Sequence, residues 1–150
     1  VVDATPVNIL QYAKETYEKL YKLDRVNLDA ITEFSVIDQT VSEEQNYELV
    51  KEITAKEIEE TIGSLACNKA PGVDGLSYEF YKRMKVVIIL VLKTLFNEVL
   101  KNSKISKSWG KSIITFIPKK AENLDELTNW RPISLTNCDA KIFLKIIANR

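Results

Sequence analysis

Eight residues near the middle of the chain, Asn68–Gly75, divide the sequence into separate helical segments. Their sequence, N-K-A-P-G-V-D-G, contains two glycines, a proline and an aspartate, which supply the turn chemistry of a structured loop and cannot continue a helix. Before this loop, Thr54 and Glu57 form a capping box for a short helix. After the loop, the sequence predicts a long helix that is capped by Ser77. The central part of the chain is therefore predicted to be two helices joined by this loop.

Before the final part of the chain, three helices are predicted besides the one that begins at Thr54. Residues 6–22 carry apolar residues at spacings of three and four, and Ser42 with Gln45 forms a capping box for a helix over residues 43–51. The third is the long helix over residues 78–101, whose wide apolar stripe predicts burial on more than one side. Its main face consists of Phe80, Met84, Ile88, Val91, Leu95 and Val99, with Tyr81, Leu92 and Phe96 beside it. Residues 23–41 lack sustained periodicity and are interpreted as a connector.

Two β-branched segments near the end of the chain are predicted to pair as a hairpin. The first, Ile113–Ile117, contains an aromatic residue, is followed by Pro118, and is interpreted as a buried strand. The second is the short segment Ile133–Leu135. Between them lies a polar and charged tip, Lys119–Asn129.

A final helix is predicted to begin at Asn137. Its inner face would be formed by Ile142, Ile146 and Ile147, and no glycine or proline follows before Arg150, so the chain is expected to stop in mid-helix. Taken together, these elements predict an α+β fold that is predominantly helical and contains one β-hairpin.

The net charge of zero conceals two halves of opposite sign. Residues 1–66 carry six Lys and Arg against fourteen Asp and Glu, a net charge of −8. Residues 67–150 carry fifteen against seven, a net charge of +8. An excess of this size suggests that the second half faces an anionic partner, and nucleic acid is the usual one. The alternative is a solvated basic surface that binds nothing.

Several classes of function are excluded by composition. Histidine is absent, which removes Ser-His-Asp and Cys-His nucleophiles and every zinc site that uses His. The two cysteines, Cys67 and Cys138, lie in unrelated contexts and predict neither a disulfide framework nor a metal site. The longest apolar run, Val86–Leu92, is too short to span a membrane, and the start of the chain does not resemble a signal peptide. An intracellular protein of the cytoplasm or nucleus, not secreted and not bound to a membrane, is therefore expected.

Two clusters place cations beside backbone that is shaped by glycine or proline. In Lys69–Gly75, Gly72 and Gly75 would let a nucleic-acid strand approach the main chain, and Lys69 could meet a phosphate. The alternative is an ordinary turn with a solvated lysine. In the hairpin, Lys119 and Arg131 would lie at opposite ends of the tip, where both could bind a triphosphate. The alternative there is a charged hairpin in water.

The order of these clusters resembles the opening blocks of reverse transcriptases from non-LTR (LINE-type) retrotransposons. The resemblance covers Ile53–Arg150. It rests on five blocks in the family's order, namely K-A-P-G-V-D-G-L with E-F-Y-K, L-F-N-E-V-L before Trp109, I-P-K, N-W-R-P-I-S-L, and K-I-F-L-K-I-I-A-N-R. Each block alone is weak, whereas five in order are specific. Gly110, which stands where relatives often have a basic residue, departs from the family pattern.

The resemblance implies the fingers and the start of the palm of a right-hand reverse transcriptase fold, in an incomplete domain. Residues 1–52 would be a helical connector, and residues 53–150 would be the fingers portion of the polymerase, truncated before the catalytic palm. By the same resemblance, Lys119 and Arg131 match positions that contact the phosphates of the incoming nucleotide. The template-binding positions would be Lys69, Pro71, Gly72, Asp74 and Gly75, together with Lys141 and Arg150.

Catalysis in that family requires aspartates that hold two magnesium ions. The family supplies them from a Phe-x-x-Asp-like strand and a Tyr-x-Asp-Asp hairpin, and neither pattern occurs in this sequence. No catalytic or metal-binding residue is therefore assigned, no cofactor is expected to bind this chain, and the chain alone is predicted to be inactive. Magnesium, an RNA template, a DNA primer and a dNTP would be the cofactor and partners of the parent enzyme.

Three interpretations of function follow from the sequence. The first is a part of an RNA-directed DNA polymerase that contributes template and nucleotide contacts without the catalytic aspartates. The second is a stand-alone nucleic-acid-binding module derived from such an element. The third is a helical interaction protein that associates with itself through uncovered apolar faces.

Overall fold

The computed structural model describes residues 6–22, 31, 40–119 and 123–150. The chain divides into two compact units, one formed by Val41–Phe116 with Pro132–Arg150 and the other by Val1–Thr40 with Ile117–Arg131. The helices are α1 (Pro6–Leu20), α2 (Glu43–Val50), α3 (Ala55–Gly63), α4 (Tyr78–Arg83), α5 (Lys85–Asn102) and α6 (Cys138–Ala148). The strands β1 (Ser112–Pro118) and β2 (Trp130–Thr136) form a two-stranded sheet. The predicted α+β class with one antiparallel hairpin is confirmed.

The two helices predicted from capping boxes begin where the sequence places them. Ser42 caps α2 and Thr54 caps α3, and in both caps the side chain and the backbone of the capping residue bond reciprocally with the third helical residue. The helix predicted over residues 6–22 is present as α1. The connector predicted over residues 23–41 lies almost wholly outside the described residues.

The core of the larger unit is formed by α3, α4, α5 and α6. Asn97 on α5 fixes the entry to α3, because its side chain accepts a hydrogen bond from Ile53 N (2.7 Å) and donates one to Ile53 O (2.9 Å). The fully buried apolar side chains are Ile53, Ile58, Ile62, Phe96, Cys138, Ile142 and Ile146. Of the predicted inner face of α6, Ile142 and Ile146 are buried and Ile147 packs against the core. This helix ends at Ala148 and does not run to the last residue.

The single long helix predicted after Ser77 is wrong, because the chain breaks at Met84 into α4 and α5. The hydroxyl of Ser77 also makes no capping hydrogen bond to α4. The break changes the buried face of α5: Leu92, Phe96 and Val99 are buried, whereas Met84 and Val91, which were predicted to face the core, are 43% and 60% exposed. Two β-branched pairs, Val86-Val87 and Ile88-Ile89, lie just after the break, and their restricted rotamers weaken a helix at this point.

The predicted hairpin is present, but the prediction that its first strand is buried is wrong. Lys119 N donates to Asn129 O (2.7 Å), a register that places residue 117 opposite residue 131. Neighbouring residues of a strand face opposite sides of the sheet, and Ile113 and Ile114 are 46% and 58% exposed. Both faces of β1 are therefore open to solvent.

Candidate nucleic-acid interface

The loop of residues 68–76, called the Gly72 loop below, is fixed at its start by α4. Asn68 adopts a left-handed conformation (φ 59°), and its N–H donates to the Oε1 atom of Glu79 at 2.5 Å. This bond and the hydroxyl of Ser77 hold the pKa of the Glu79 carboxyl below its ordinary value. The N-terminal end of the loop is thus tied to the first turn of α4.

Gly72 packs directly against Asn137, the N-cap of α6. A Cβ atom on Gly72 would lie 2.3 Å from Asn137 Oδ1 and 2.4 Å from Asn137 N, so only glycine fits here. Asn137 is 3% exposed, and its Oδ1 atom faces the loop, where it lies 3.5 Å from the N–H of Asp74. Because that oxygen is directed at the loop, Asn137 makes no side-chain capping bond to α6. The contact between Gly72 and Asn137 therefore requires glycine at position 72, whether or not a ligand approaches the loop.

A tight turn shapes the rest of the loop. Gly75 N donates to Gly72 O at 3.2 Å, and the Oδ1 atom of Asp74 accepts a hydrogen bond from Leu76 N at 3.0 Å. Gly75 has φ +72°, a conformation that favours glycine, and its Cα faces open space. Of the two loop glycines, Gly75 is the one that a ligand backbone could approach.

The Gly72 loop presents one cation to solvent. Lys69 is exposed and makes no ion pair with any residue in the described ranges, whereas Pro71 is half-buried. Lys141 lies in the first turn of α6, next to Asn137, and is half-buried without an ion pair to a described residue. The structure therefore places Lys69 and Lys141 on elements that meet at the Gly72–Asn137 contact.

Buried polar groups lie beneath this contact. Burial raises the pKa of the Tyr81 hydroxyl, with a further upward contribution from the carboxylates of Asp139 and Asp74. Burial likewise raises the pKa of the Cys138 thiol, although the ammonium of Lys141 opposes the shift. Tyr81 and Cys138 are 3% and 0% exposed, and a buried thiol with a raised pKa is unreactive. These groups support the loop and do not offer a nucleophile.

The hairpin tip holds the other two predicted cations. Lys119 follows β1, and its ammonium donates to Thr128 O at 2.8 Å, which leaves two of its three N–H donors available. Arg131 is the second residue of β2, is exposed, and has no side-chain hydrogen bond or ion pair to the described part of the chain. In the register set by Lys119 N and Asn129 O, residues 119 and 131 lie on the same face of the hairpin. A hydrogen bond also lies within the tip, where Trp130 Nε1 donates to Leu124 O at 2.9 Å.

Comparison with known proteins identifies the relatives of this chain. It is 30% identical over 99% of its length to an uncharacterized 149 kDa protein of transposon TX1 from Xenopus laevis, and covers 12% of that protein. It is 34% identical over 67% of its length to a probable RNA-directed DNA polymerase from transposon BS of Drosophila melanogaster, and covers 11% of it. The chain is homologous to non-LTR retrotransposon proteins. A third relative, the RNA-directed DNA polymerase from mobile element jockey of Drosophila melanogaster, is 30% identical over 65% of the chain.

The retrotransposon relatives are much longer than this chain, which spans about a tenth of their length. No protein-family model matches the sequence. Among the helices in the described ranges, none is long and apolar enough to cross a lipid bilayer.

The carboxylates around the Gly72 loop bond to other groups of the protein. Within residues 6–22, 31, 40–119 and 123–150, no three His, Cys, Asp or Glu side chains lie together. The two aspartates nearest the Gly72 loop have other partners: Asp74 bonds to Leu76 N, and Asp139 bonds to Trp109 Nε1 (2.8 Å) and Ala140 N (2.7 Å). We therefore assign no catalytic step to these carboxylates.

Arg150, a predicted template contact, is directed into the protein. Its Nε and Nη2 atoms lie 3.0 Å and 2.9 Å from Glu57 Oε1, and its Nη1 atom donates to the carbonyl oxygens of Leu49 and Lys51. Its side chain is 7% exposed. A guanidinium held in this way joins the end of the chain to α2 and α3. Its role at the template stays a prediction, and so does that of every other assigned contact residue.

The Glu57–Arg150 pair makes stability depend on pH. Burial raises the pKa of Glu57, but hydrogen bonds from Thr54 and Arg150 outweigh it and hold the pKa below its ordinary value. A lowered carboxyl pKa stabilises the fold above the unfolded value of about 4.3, and this contribution is lost as the pH falls through the folded value. We expect Glu57→Gln to lower the free energy of unfolding at pH 7 by about 1–2 kcal/mol and to have little effect below both pKa values.

Urea denaturation at pH 7 and in acid measures this difference. Glu60→Gln on the same helix is the control, because Glu60 is exposed and its lysine partner lies 3.9 Å away, and exposed pairs of this kind contribute little. Equal pH dependence in Glu57→Gln and the wild-type chain would contradict the prediction.

Asn137 is the residue that sequence reasoning missed. The sequence predicts Asn137 only as the start of the final helix. Its buried amide also contacts the Gly72 loop, and Gly72 lies 65 residues earlier in the chain. The available signal was weak: an asparagine at a helix N-cap is expected to bond to its own helix, and nothing in the sequence shows that its oxygen is directed elsewhere.

Proposed function

We propose that this chain is part of the RNA-directed DNA polymerase of a non-LTR retrotransposon. Its homology to the polymerases of transposon BS and jockey is the observation that carries this proposal. In it, residues 53–150 form the fingers and the start of the palm of a right-hand fold, and residues 1–52 form a helical connector that precedes them. The catalytic aspartates and their magnesium ions belong to other parts of the parent enzyme.

In this proposal the Gly72 loop contacts the template strand. Lys69 supplies an exposed cation, and Gly75 offers an open backbone position with no Cβ to obstruct a phosphate. Asn137 and Glu79 hold the loop from its two sides, which supports this role because a contact that is ordered beforehand loses less entropy when it binds.

The hairpin tip, in the same proposal, contacts the phosphates of the incoming nucleotide. Support comes from the hairpin register, which places Lys119 and Arg131 on one face, and from the free donors of both side chains. Arg can bind a phosphate with two parallel hydrogen bonds and Lys as a point charge, so the two together suit a triphosphate.

The test is the binding of a dNTP, measured by calorimetry on the chain in the presence of a primer–template. We expect Lys119→Ala with Arg131→Ala to weaken dNTP binding by tenfold or more, since a hydrogen bond to a charged group contributes about 1.5–3 kcal/mol. Lys93→Ala, which removes an exposed lysine on α5, is the control and should leave dNTP binding unchanged. Equal affinity in the double variant and the wild-type chain would remove the tip from the nucleotide site.

Primer extension tests the remaining part of the proposal. With magnesium, a primer–template and all four dNTPs, the chain alone should incorporate no nucleotide. Clear extension would show that the 150 residues contain the catalytic carboxylates, against the proposal. Failure to bind any nucleic acid at low salt would reject the template contacts and would favour a helical interaction protein.

A further inference from the structure

The eleven residues Lys101–Lys111, called the lysine segment below, carry four positive charges and no carboxylate. None of its lysines makes an ion pair or a side-chain hydrogen bond with any residue of the described ranges, and all are exposed. Two other cations of the basic half do form ion pairs, since Lys85 and Arg150 pair with Glu59 and Glu57 on α3. The charge of the lysine segment is therefore uncompensated within its unit.

The backbone of the lysine segment is held in place by Trp109. Its indole N–H donates to Asp139 Oδ2 at 2.8 Å, and its ring lies 5.3 Å from that of Phe143 and 6.1 Å from that of Phe96. Two short turns flank it, with Trp109 N bonded to Ser106 O and Lys111 N bonded to Ser108 O. An anchored segment presents its lysines from fixed backbone positions, so less entropy is lost on binding than for a flexible tail.

Two of the four lysines border a shared hollow. Lys104 and Lys107 line a surface hollow of about 340 Å³ together with Asn102 and Ser106, and Glu98 lines the same hollow. Ammonium, hydroxyl and amide groups are the usual partners of backbone phosphates. The Glu98 carboxylate opposes an anion there, which makes it a useful second probe.

We propose that the lysine segment binds the phosphate backbone of a nucleic-acid strand, through residues other than those of the Gly72 loop and the hairpin tip. The inference rests on the proposed function for the class of partner, but its residues are different. The ring of Trp109 is half-buried and packs against the core, and the segment has no other aromatic residue, so the contact does not rely on base stacking and is independent of sequence. A lipid surface fits less well, because Ile105 is the segment's one exposed aliphatic residue and stable membrane anchoring needs a second hydrophobic signal.

The test compares two variants that each remove two exposed positive charges. Lys104→Gln with Lys107→Gln removes them from the lysine segment, and Lys56→Gln with Lys93→Gln removes them from α3 and α5. Fluorescence anisotropy with a labelled single-stranded RNA of mixed sequence is recorded over a range of salt. Each lost phosphate contact lowers the slope of log K against log salt by about 0.7 for a single strand. We expect the magnitude of this slope to fall by about 1.4 in the segment variant. The control variant should keep the wild-type slope.

All but one of the possible outcomes separate this inference from the proposed function. RNA binding with an unchanged slope in the segment variant overturns the inference and leaves the proposed function standing, as does an equal loss in both double variants. Absence of RNA binding by the wild-type chain at low salt overturns both. If the segment variant loses binding to anionic vesicles but keeps its binding to RNA, the lysine segment contacts a membrane, and the inference is overturned.

Glu98→Gln gives an independent result, because it removes a charge without removing a lysine. Affinity for RNA should rise severalfold if an anion occupies the hollow. Unchanged or lower affinity in Glu98→Gln, with circular dichroism like that of the wild-type chain, would place the strand away from the hollow and contradict the proposed contact.

Discussion

Phe96→Ala is expected to lower the free energy of unfolding by about 3–5 kcal/mol. Phe96 is fully buried on α5, and its ring lies 5.4 Å from that of Phe143 and 6.1 Å from that of Trp109. Truncation removes the largest of the fully buried side chains and leaves a cavity between α5 and α6. Because whole domains are stable by only about 5–15 kcal/mol, this loss is a large fraction of the total free energy of unfolding. Urea denaturation followed by far-ultraviolet circular dichroism measures the loss.

Leu90→Ala is the matched control for Phe96→Ala, on the same helix. Leu90 is 69% exposed, so its truncation leaves no cavity and should change the free energy of unfolding by no more than about 0.5 kcal/mol. A comparable loss in both variants would show that the exposed face of α5 is covered in solution, for example by a second copy of the chain. A small loss in Phe96→Ala would contradict the packing of α5 on α6.

The contrast between Phe96 and Leu90 shows where sequence reasoning about this fold succeeds and where it fails. The starts of α2 and α3 could be predicted, because a capping box involves residues only three positions apart. The break at Met84 could not, since no proline or glycine marks it and the wide apolar stripe appears continuous. Because the chain breaks there, the apolar stripe does not continue along one helix, and the buried residues of α5 are Leu92, Phe96 and Val99.

The hairpin illustrates the same limit in a different way. Its two strands and its tip follow from β-branched residues and from Pro118, which are local signals. Whether a face is buried depends on what covers it, and an apolar segment such as Ile113–Ile117 carries no such information. Apolar composition therefore located the strand correctly but predicted its environment incorrectly.

Part of the candidate site could be predicted from the sequence, and part of it could not. Local chemistry in the sequence selects the cations of the site but leaves the alternative of a solvated charge open, and the family resemblance is what favours a binding role. The structure adds the long-range contact that shapes the Gly72 loop, and this contact joins residues 65 positions apart. No periodicity or motif within one segment reports such a contact.

Gly72→Ala tests that contact directly and is expected to lower the free energy of unfolding by about 3 kcal/mol. The added Cβ would lie 2.3 Å from Asn137 Oδ1, 2.4 Å from its N and 2.6 Å from its Cα. The last two are backbone atoms at the start of α6 and cannot rotate away as a side chain can. Relief therefore requires the loop and α6 to separate, which would also expose Asn137 and weaken the packing above Tyr81. Urea denaturation measures the loss.

Gly63→Ala is the control for Gly72→Ala, because an added Cβ at Gly63 meets nothing within 4 Å. Gly63 is the last residue of α3, and alanine there should be neutral or stabilise by up to about 1 kcal/mol. Removal of the amide in the double variant Gly72→Ala with Asn137→Gly should recover part of the loss, since the Oδ1 clash is then gone, whereas the clash with backbone N and Cα remains. Wild-type stability in Gly72→Ala alone would mean that the loop does not rest on α6.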